Sequence, residues 1–261
     1  MSYTTHQSRR QIAYVSITGT TIIHQKDPYI VAFWSALFPG FGHFYLCKYI
    51  RATLLTLWVI LINTNANINV AIIFSLTGEW EQAKEIINIK WFLLYIPVWL
   101  FAIWDSYRTC VSLNTIHTLA SRENANFVNF KISALEINYL EKRTPIMSVI
   151  WSIFMPGMGY LYIHRVFLSF YTLILWITFI YLSHFLEAVH FLVDGKIEQA
   201  TSVLNPEWFL FLPIIYGSTI YDSYVYAVEN NKLFEKDQFN YLKENYQLAT
   251  RKIPFPRNMS K

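Results

Sequence analysis

A short break that occurs twice constrains this chain more than any other feature. Phe38-Pro39-Gly40-Phe41-Gly42-His43-Phe44-Tyr45 returns as Met155-Pro156-Gly157-Met158-Gly159-Tyr160-Leu161-Tyr162. Proline removes a helix hydrogen bond and glycine admits backbone angles closed to other residues, so each segment must bend inside an apolar run. The break belongs to a longer repeat: Pro28–Asn114 aligns with Pro145–Asn231 without a gap. Roughly two dozen aligned positions are identical, far above chance for an apolar chain. They include Trp34/Trp151, Ser35/Ser152, Glu81-Gln82-Ala83/Glu198-Gln199-Ala200, Trp91-Phe92-Leu93/Trp208-Phe209-Leu210 and Asp105-Ser106-Tyr107/Asp222-Ser223-Tyr224.

Composition fixes the medium. The chain is 54% hydrophobic and 15% charged, against roughly 25% charged in soluble domains. Trp91–Ile103 and Val166–Ser183 carry no full charge, and a helical span needs about 20 mostly apolar residues. These runs predict an all-α, multi-pass integral membrane protein whose first partner is the lipid bilayer. The net charge of +4 is small, and no basic run has the form of a nucleic-acid footprint, so no nucleic-acid partner is expected. Residues 1–27 lack an uninterrupted apolar core followed by a small-residue cleavage site, so no cleaved signal peptide is expected. Cys47 and Cys110 form no metal or redox motif.

The placement of charge predicts the topology. If Tyr29–Leu46 and Ile146–Ile163 cross fully, each repeat has three spans, and Arg108, Arg122, Lys131, Lys142 and Arg143 lie opposite Arg9 and Arg10. If each instead dips in and returns, only Lys84, Lys90 and Lys196 of the 21 basic residues face outside. The positive-inside rule favours this second arrangement. The expected architecture is two tandem parallel repeats, residues 28–114 and 145–231. Each is a re-entrant or half-inserted Pro-Gly-broken segment plus two transmembrane helices, which makes four full spans. Segments 1–27, 115–144 (linker) and 232–261 (tail) are expected in the cytoplasm, with both termini inside the cell membrane. An even number of crossings per repeat implies two copies in one orientation around a pseudo-two-fold axis along the membrane normal.

Asp105 and Asp222 are the leading polar candidates, because a carboxylate within an apolar helix needs a partner. One reading gives each aspartate the backbone N–H groups freed at the Pro-Gly bend of its own copy. The other makes them, with Ser106, Tyr107, Ser223 and Tyr224, a proton or cation site. His184, Glu187 and His190 are spaced i, i+3, i+6 and form a weaker zinc or nickel candidate. The same spacing also suits a polar stripe where the helix leaves the bilayer. Asn63, Asn65, Asn67 and Asn69 mark either a helix exit or a polar vestibule.

The Pro-Gly-x-Gly-x-x-Tyr pattern, with Asp-x-Tyr near the end of the last helix, resembles the bacterial TM2-like small membrane proteins, here in tandem. The resemblance covers residues 28–114 and 145–231 and implies one helical hairpin per unit. It brings no established activity. Where such proteins usually carry a glycine two places after the tyrosine, this chain has Cys47 and His164.

No phosphate loop, nucleophile elbow or His-Glu-x-x-His helix is present, so neither an enzyme nor a cofactor is expected. A membrane scaffold or assembly protein, meeting membrane or cytoplasmic proteins through its linker and tail, is the leading reading. A small-solute or ion pathway using Asp105 and Asp222 is the alternative. Leu54–Ile62 and Ile174–Ile180, which contain no ionisable residue, argue against the pathway.

Overall fold

The structure is a computed structural model that describes residues 9–123 and 127–246. The basic stretch Arg251–Arg257 of the tail lies outside the described residues. The chain is mostly helical, as its composition predicts. It begins with an antiparallel hairpin, β1 (Ala13–Ser16) and β2 (Gly19–Ile22). The first half then places α1 (Pro28–Leu37), α2 (Phe41–Tyr45), α3 (Tyr49–Ala66), α4 (Ile68–Leu76), α5 (Trp80–Ile86) and α6 (Ile89–Arg122). A second hairpin, β3 (Phe130–Ile132) and β4 (Ile137–Tyr139), leads into the second half. There α7 (Pro145–Phe154), α8 (Met158–Tyr162), α9 (Val166–Ser183), α10 (Phe185–Val193) and α11 (Ile197–Val203) match the lengths of α1 to α5. The final helix is divided into α12 (Pro206–Phe209) and α13 (Phe211–Tyr246). Pro213 has no N–H to offer the Phe209 carbonyl, which accounts for the division.

Each half begins with a proline at the first helical turn, a position it suits. Both first helices then stop at the Pro-Gly break. Gly40 and Gly157 have φ of +108° and +102°, a region that penalises any side chain. A methyl on Gly40 would lie 2.7 Å from the Ala52 carbonyl oxygen, and one on Gly157 2.8 Å from that of Ser169. The break is therefore pressed against the start of the following helix. Gly42 and Gly159 face the other way. A methyl there would run into the Val31 carbonyl and Ser35 hydroxyl, or into the Ser148 carbonyl and Ser152 hydroxyl. Pro39 and Pro156 are fully buried. One glycine thus admits the turn, and the other lets it fold back on its own first helix.

At ten residues, α1 and α7 are about 15 Å long, half the thickness of a hydrocarbon core. Two helices, Ile89–Arg122 and Val166–Ser183, are long and apolar enough to cross a membrane. A third is added if α3 and α4 count as one span bent by 62°. The sequence predicts four such spans. The missing one is α13, where Tyr216, Gly217, Ser218, Tyr221, Asp222 and Ser223 dilute the apolar run.

Two further expectations need correction. The all-α reading misses the hairpins, whose three- and four-residue strands are too short to leave a periodic signal. The first transmembrane helix expected in the first repeat, which runs from about Tyr49 to Leu76, is broken at Asn67, left-handed at φ 56°. His184 breaks the second half in the same way at φ 54°. Asn and His tolerate this region better than most residues.

The halves meet through aromatic contacts. Trp34 packs on Tyr221 (centroids 5.7 Å apart), Phe38 on Phe211 (5.4 Å), Phe44 on Tyr171 (4.7 Å) and Tyr49 on Phe167 (5.3 Å). These contacts are not reciprocal. Trp151 and Trp104, which align with Trp34 and Tyr221, are 41% and 56% exposed. The arrangement is heterologous, and a two-fold axis does not relate the halves as the sequence predicts.

Gly42→Val and Gly159→Val should each lower stability by about 1–3 kcal/mol or more, because the branched side chain meets a backbone carbonyl oxygen as well as a buried serine hydroxyl. Thermal melting of the purified chain in detergent measures this. Unchanged melting temperatures would remove the turn from its central place.

Candidate functional site

The two aspartates are buried within α6 and α13, well inside each helix, and their partners are side chains. Asp105 Oδ2 accepts from Arg51 Nη1 at 2.5 Å and lies 3.1 Å from His43 Nε2, while Arg108 Nη2 lies 3.5 Å from Oδ1. Asp222 Oδ2 accepts from Arg165 Nη1 at 2.7 Å. The expected capping of backbone N–H groups at the Pro-Gly bend is therefore corrected. The bend satisfies its own backbone: Phe41 N donates to the Phe38 carbonyl and Phe44 N to that of Gly40.

Each aspartate instead ties the last helix of its half to the start of α3 or α9. The cation comes from different places. Arg51 sits three residues into α3, whereas Arg165 caps α9 and aligns with Lys48. A shift of three residues is nearly one helical turn, so a long side chain reaches the same carboxylate from either position. His43 and Tyr160 also align, and both lie in the short helix after the break.

Arg165 does more than pair. Its Nη2 donates to Tyr49 OH at 3.0 Å and lies 3.6 Å from Cys47 Sγ, both in the first half. The guanidinium also stacks over Tyr226 at 4.2 Å and Tyr160 at 5.4 Å. The tip of the first hairpin covers the same turn: Val166 N donates to the Thr18 carbonyl (3.0 Å), and His164 Nε2 lies 3.0 Å from that of Ile17. Arg165 thus joins the amino-terminal hairpin and both halves at one buried point.

The other predicted residues separate. Ser106 and Ser223 are fully buried and return their hydroxyls to the carbonyls of Ile103 and Ile220. Ser223 also meets Ser152 at 3.0 Å. Tyr107 packs edge-on against Tyr29 (centroids 5.4 Å apart), and Tyr224 is exposed. Neither tyrosine joins its aspartate. His184 Nδ1 lies 3.3 Å from Glu187 Oε2, but His190 is exposed beside Phe191. No group of three or more metal-ligating side chains occurs among the described residues.

The asparagine run builds the bend in the first half. Asn63 and Asn69 pair through their amides at 3.1 Å, and Asn69 Nδ2 donates to the Glu207 carbonyl at 2.7 Å. Glu207 Oε2 accepts from Val70 N at 3.2 Å, at the start of α4. Burial pushes the Glu207 carboxyl up to about 7, against the lowering effect of the Val70 and Asn69 N–H groups.

Two residues that sequence reading passed over as repeat ends have a defined task. Asn114 accepts from Lys26 N (3.0 Å) and donates to the Lys26 carbonyl (2.7 Å). Asn231 does the same to Arg143, at 2.8 and 2.6 Å. Their shared identity at aligned positions was the available signal. Beside Asp222, a cavity between the halves, lined by Trp34, Tyr45, Tyr160 and Thr219, holds about 30 Å³. That is room for one or two waters and no larger solute. Compared with protein-family models, curated proteins and solved structures, the chain matches none.

Arg165 is 2% exposed and Arg51 is 49% exposed, so the two pairs should respond differently. Arg165→Met leaves Asp222 buried and unpaired and should cost about 3–5 kcal/mol, much of it recovered by adding Asp222→Leu. Arg51→Met should cost no more than about 1 kcal/mol, since Arg51 is half-exposed and His43 and Arg108 remain to Asp105. Chemical denaturation in detergent ranks the variants, and equal losses at both sites would contradict the assignment.

Proposed function

We propose that this chain is a non-enzymatic, multi-pass membrane scaffold or assembly protein. It consists of two tandem TM2-like repeats in the cell membrane, each with a half-inserted Pro-Gly-broken segment, and both termini face the cytoplasm. The observation that carries this reading is the engagement of the polar interior with itself. Asp105 and Asp222 are held by Arg51 and Arg165, and the space beside Asp222 is too small for a solute. A pathway needs carboxylates that exchange partners, and here each fastens helices together.

The TM2-like reading gains support at Cys47 and His164. Both adopt the left-handed conformation, at φ 58° and 56°, where the family's glycine would stand. The two hairpins support a longer repeat. Ala13 pairs with Ile22, and Phe130 with Tyr139, in the same register 117 residues apart (13 to 130 and 22 to 139). With the hairpins, linker and tail on the inner side, a protein partner would meet that face.

Reconstitution in sealed liposomes tests the reading. The scaffold predicts proton and monovalent-cation leakage equal to that of empty liposomes, for the natural chain and for Asp105→Asn alike. A flux that Asp105→Asn or Asp222→Asn abolishes would replace the scaffold with the pathway.

A further inference from the structure

Outside the two latches, one cation of the described residues stands apart. Lys26, in the strap between β2 and α1, is held by its backbone between the two arms of Asn114. Its ammonium lies 5.1 Å over the Tyr45 ring and 2.7 Å from His24 Nε2. Among the described residues, no carboxylate oxygen lies within 4.0 Å of it. His24 does not substitute for one. Its Nδ1 faces the Gln25 carbonyl at 3.0 Å, which leaves Nε2 as a neutral acceptor for the lysine. Burial, and then the neighbouring Lys26 charge, push the His24 imidazole down to about 3. Glu229 lies 3.9 Å from the far side of the same ring and is itself bound by Lys232 at 2.6 Å, and Asp222 acts on Lys26 only from beyond 4.0 Å.

The second half shows what such a cation normally has. Position 143 aligns with 26, and Arg143 lies over Tyr162 as Lys26 lies over Tyr45. Position 141 aligns with 24, and there the chain places Glu141 in direct ion contact with Arg143. The two straps share backbone clamp, cation and ring, and differ in the carboxylate. Where the second half has its own anion, the first has a neutral imidazole and an open cavity. That cavity has about 150 Å³ and is lined by Thr21, His24, Lys26, Cys47, Lys48 and Asn114, among others. Lys48 is exposed at its edge, and Arg165 reaches its back wall at Cys47. An ammonium taken from water without a counter-charge is costly, and an entering anion relieves that cost. The tetrahedral oxygens of a phosphate match ammonium donors and the hydroxyl of Thr21.

We propose that the cavity between the Thr21–Lys26 strap and the Leu46–Lys48 turn binds a phosphate group, held by Lys26 and Lys48. The phosphate is either free or the headgroup of an anionic lipid. Only the lipid source rests on the membrane reading above.

Melting of the full chain in detergent, in sodium phosphate against sodium chloride at equal ionic strength, tests the first source. Melting in nanodiscs of phosphatidylcholine with and without phosphatidic acid tests the second. A rise in melting temperature with phosphate, or with phosphatidic acid alone, supports the site and identifies its source. Lys26→Gln should weaken the apparent affinity about tenfold or more, and Lys26→Arg should retain it. His24→Glu, which copies the second half, should keep the fold and abolish the rise, and it decides the matter if Lys26→Gln does not fold. No rise with either probe, or a rise that survives His24→Glu, overturns the proposal. Failure with phosphatidic acid but not with phosphate leaves the site standing and removes only the lipid.

Discussion

A carboxylate buried within a long helix has to be answered from within the chain, and the fold is arranged around the two answers. Asp105 and Asp222 each draw a cation from the start of α3 or α9. That pairing brings the last helix against the first two. It works only if the chain returns abruptly after α1 and α7, which is what the Pro-Gly break provides. Proline ends the helix, one glycine takes positive φ, and the next lies against backbone where no side chain fits. Cutting the turn or the ion pair should therefore disturb the same contacts.

The two answers are unequal, and the inequality gives the molecule its asymmetry. Asp105 shares its charge with His43, the half-exposed Arg51 and Arg108. Asp222 relies on Arg165, which is sealed beneath the first hairpin and bonded to Tyr49 across the halves. The halves accordingly pack by unlike faces, Trp34 against Tyr221, and leave Trp151 and Trp104 uncovered. Neither the repeat nor its spacing contains that information. It depends on which long side chain reaches which carboxylate.

Much of the site could be read from the residues alone. The bends, the two aspartates and their repetition follow from proline, glycine and the cost of charge in an apolar run. Their partners could not be read. Arg51 and Arg165 do not align, and a guanidinium's reach erases a three-residue difference that an alignment takes as meaningful. The hairpins were hidden because ten residues such as Ala13–Ile22 carry too short an alternation to stand out. Asn67 and His184 gave no warning of a left-handed break either, since neither is glycine. Where an asparagine was read as a polar exit, it proved to build the bend by bonding freed backbone and its neighbour's amide.

The central proposal is that both halves enter the bilayer from the same side, with hairpins and linker together on the inner face. Single cysteines placed in the linker at Ser133 and in the α5 and α11 turns at Gln82 and Gln199, in a chain otherwise free of cysteine, test it in intact cells. A membrane-impermeant maleimide should label the two turn positions and reach Ser133 only after permeabilisation. Labelling of position 133 from outside, or of only one of positions 82 and 199, would contradict the account.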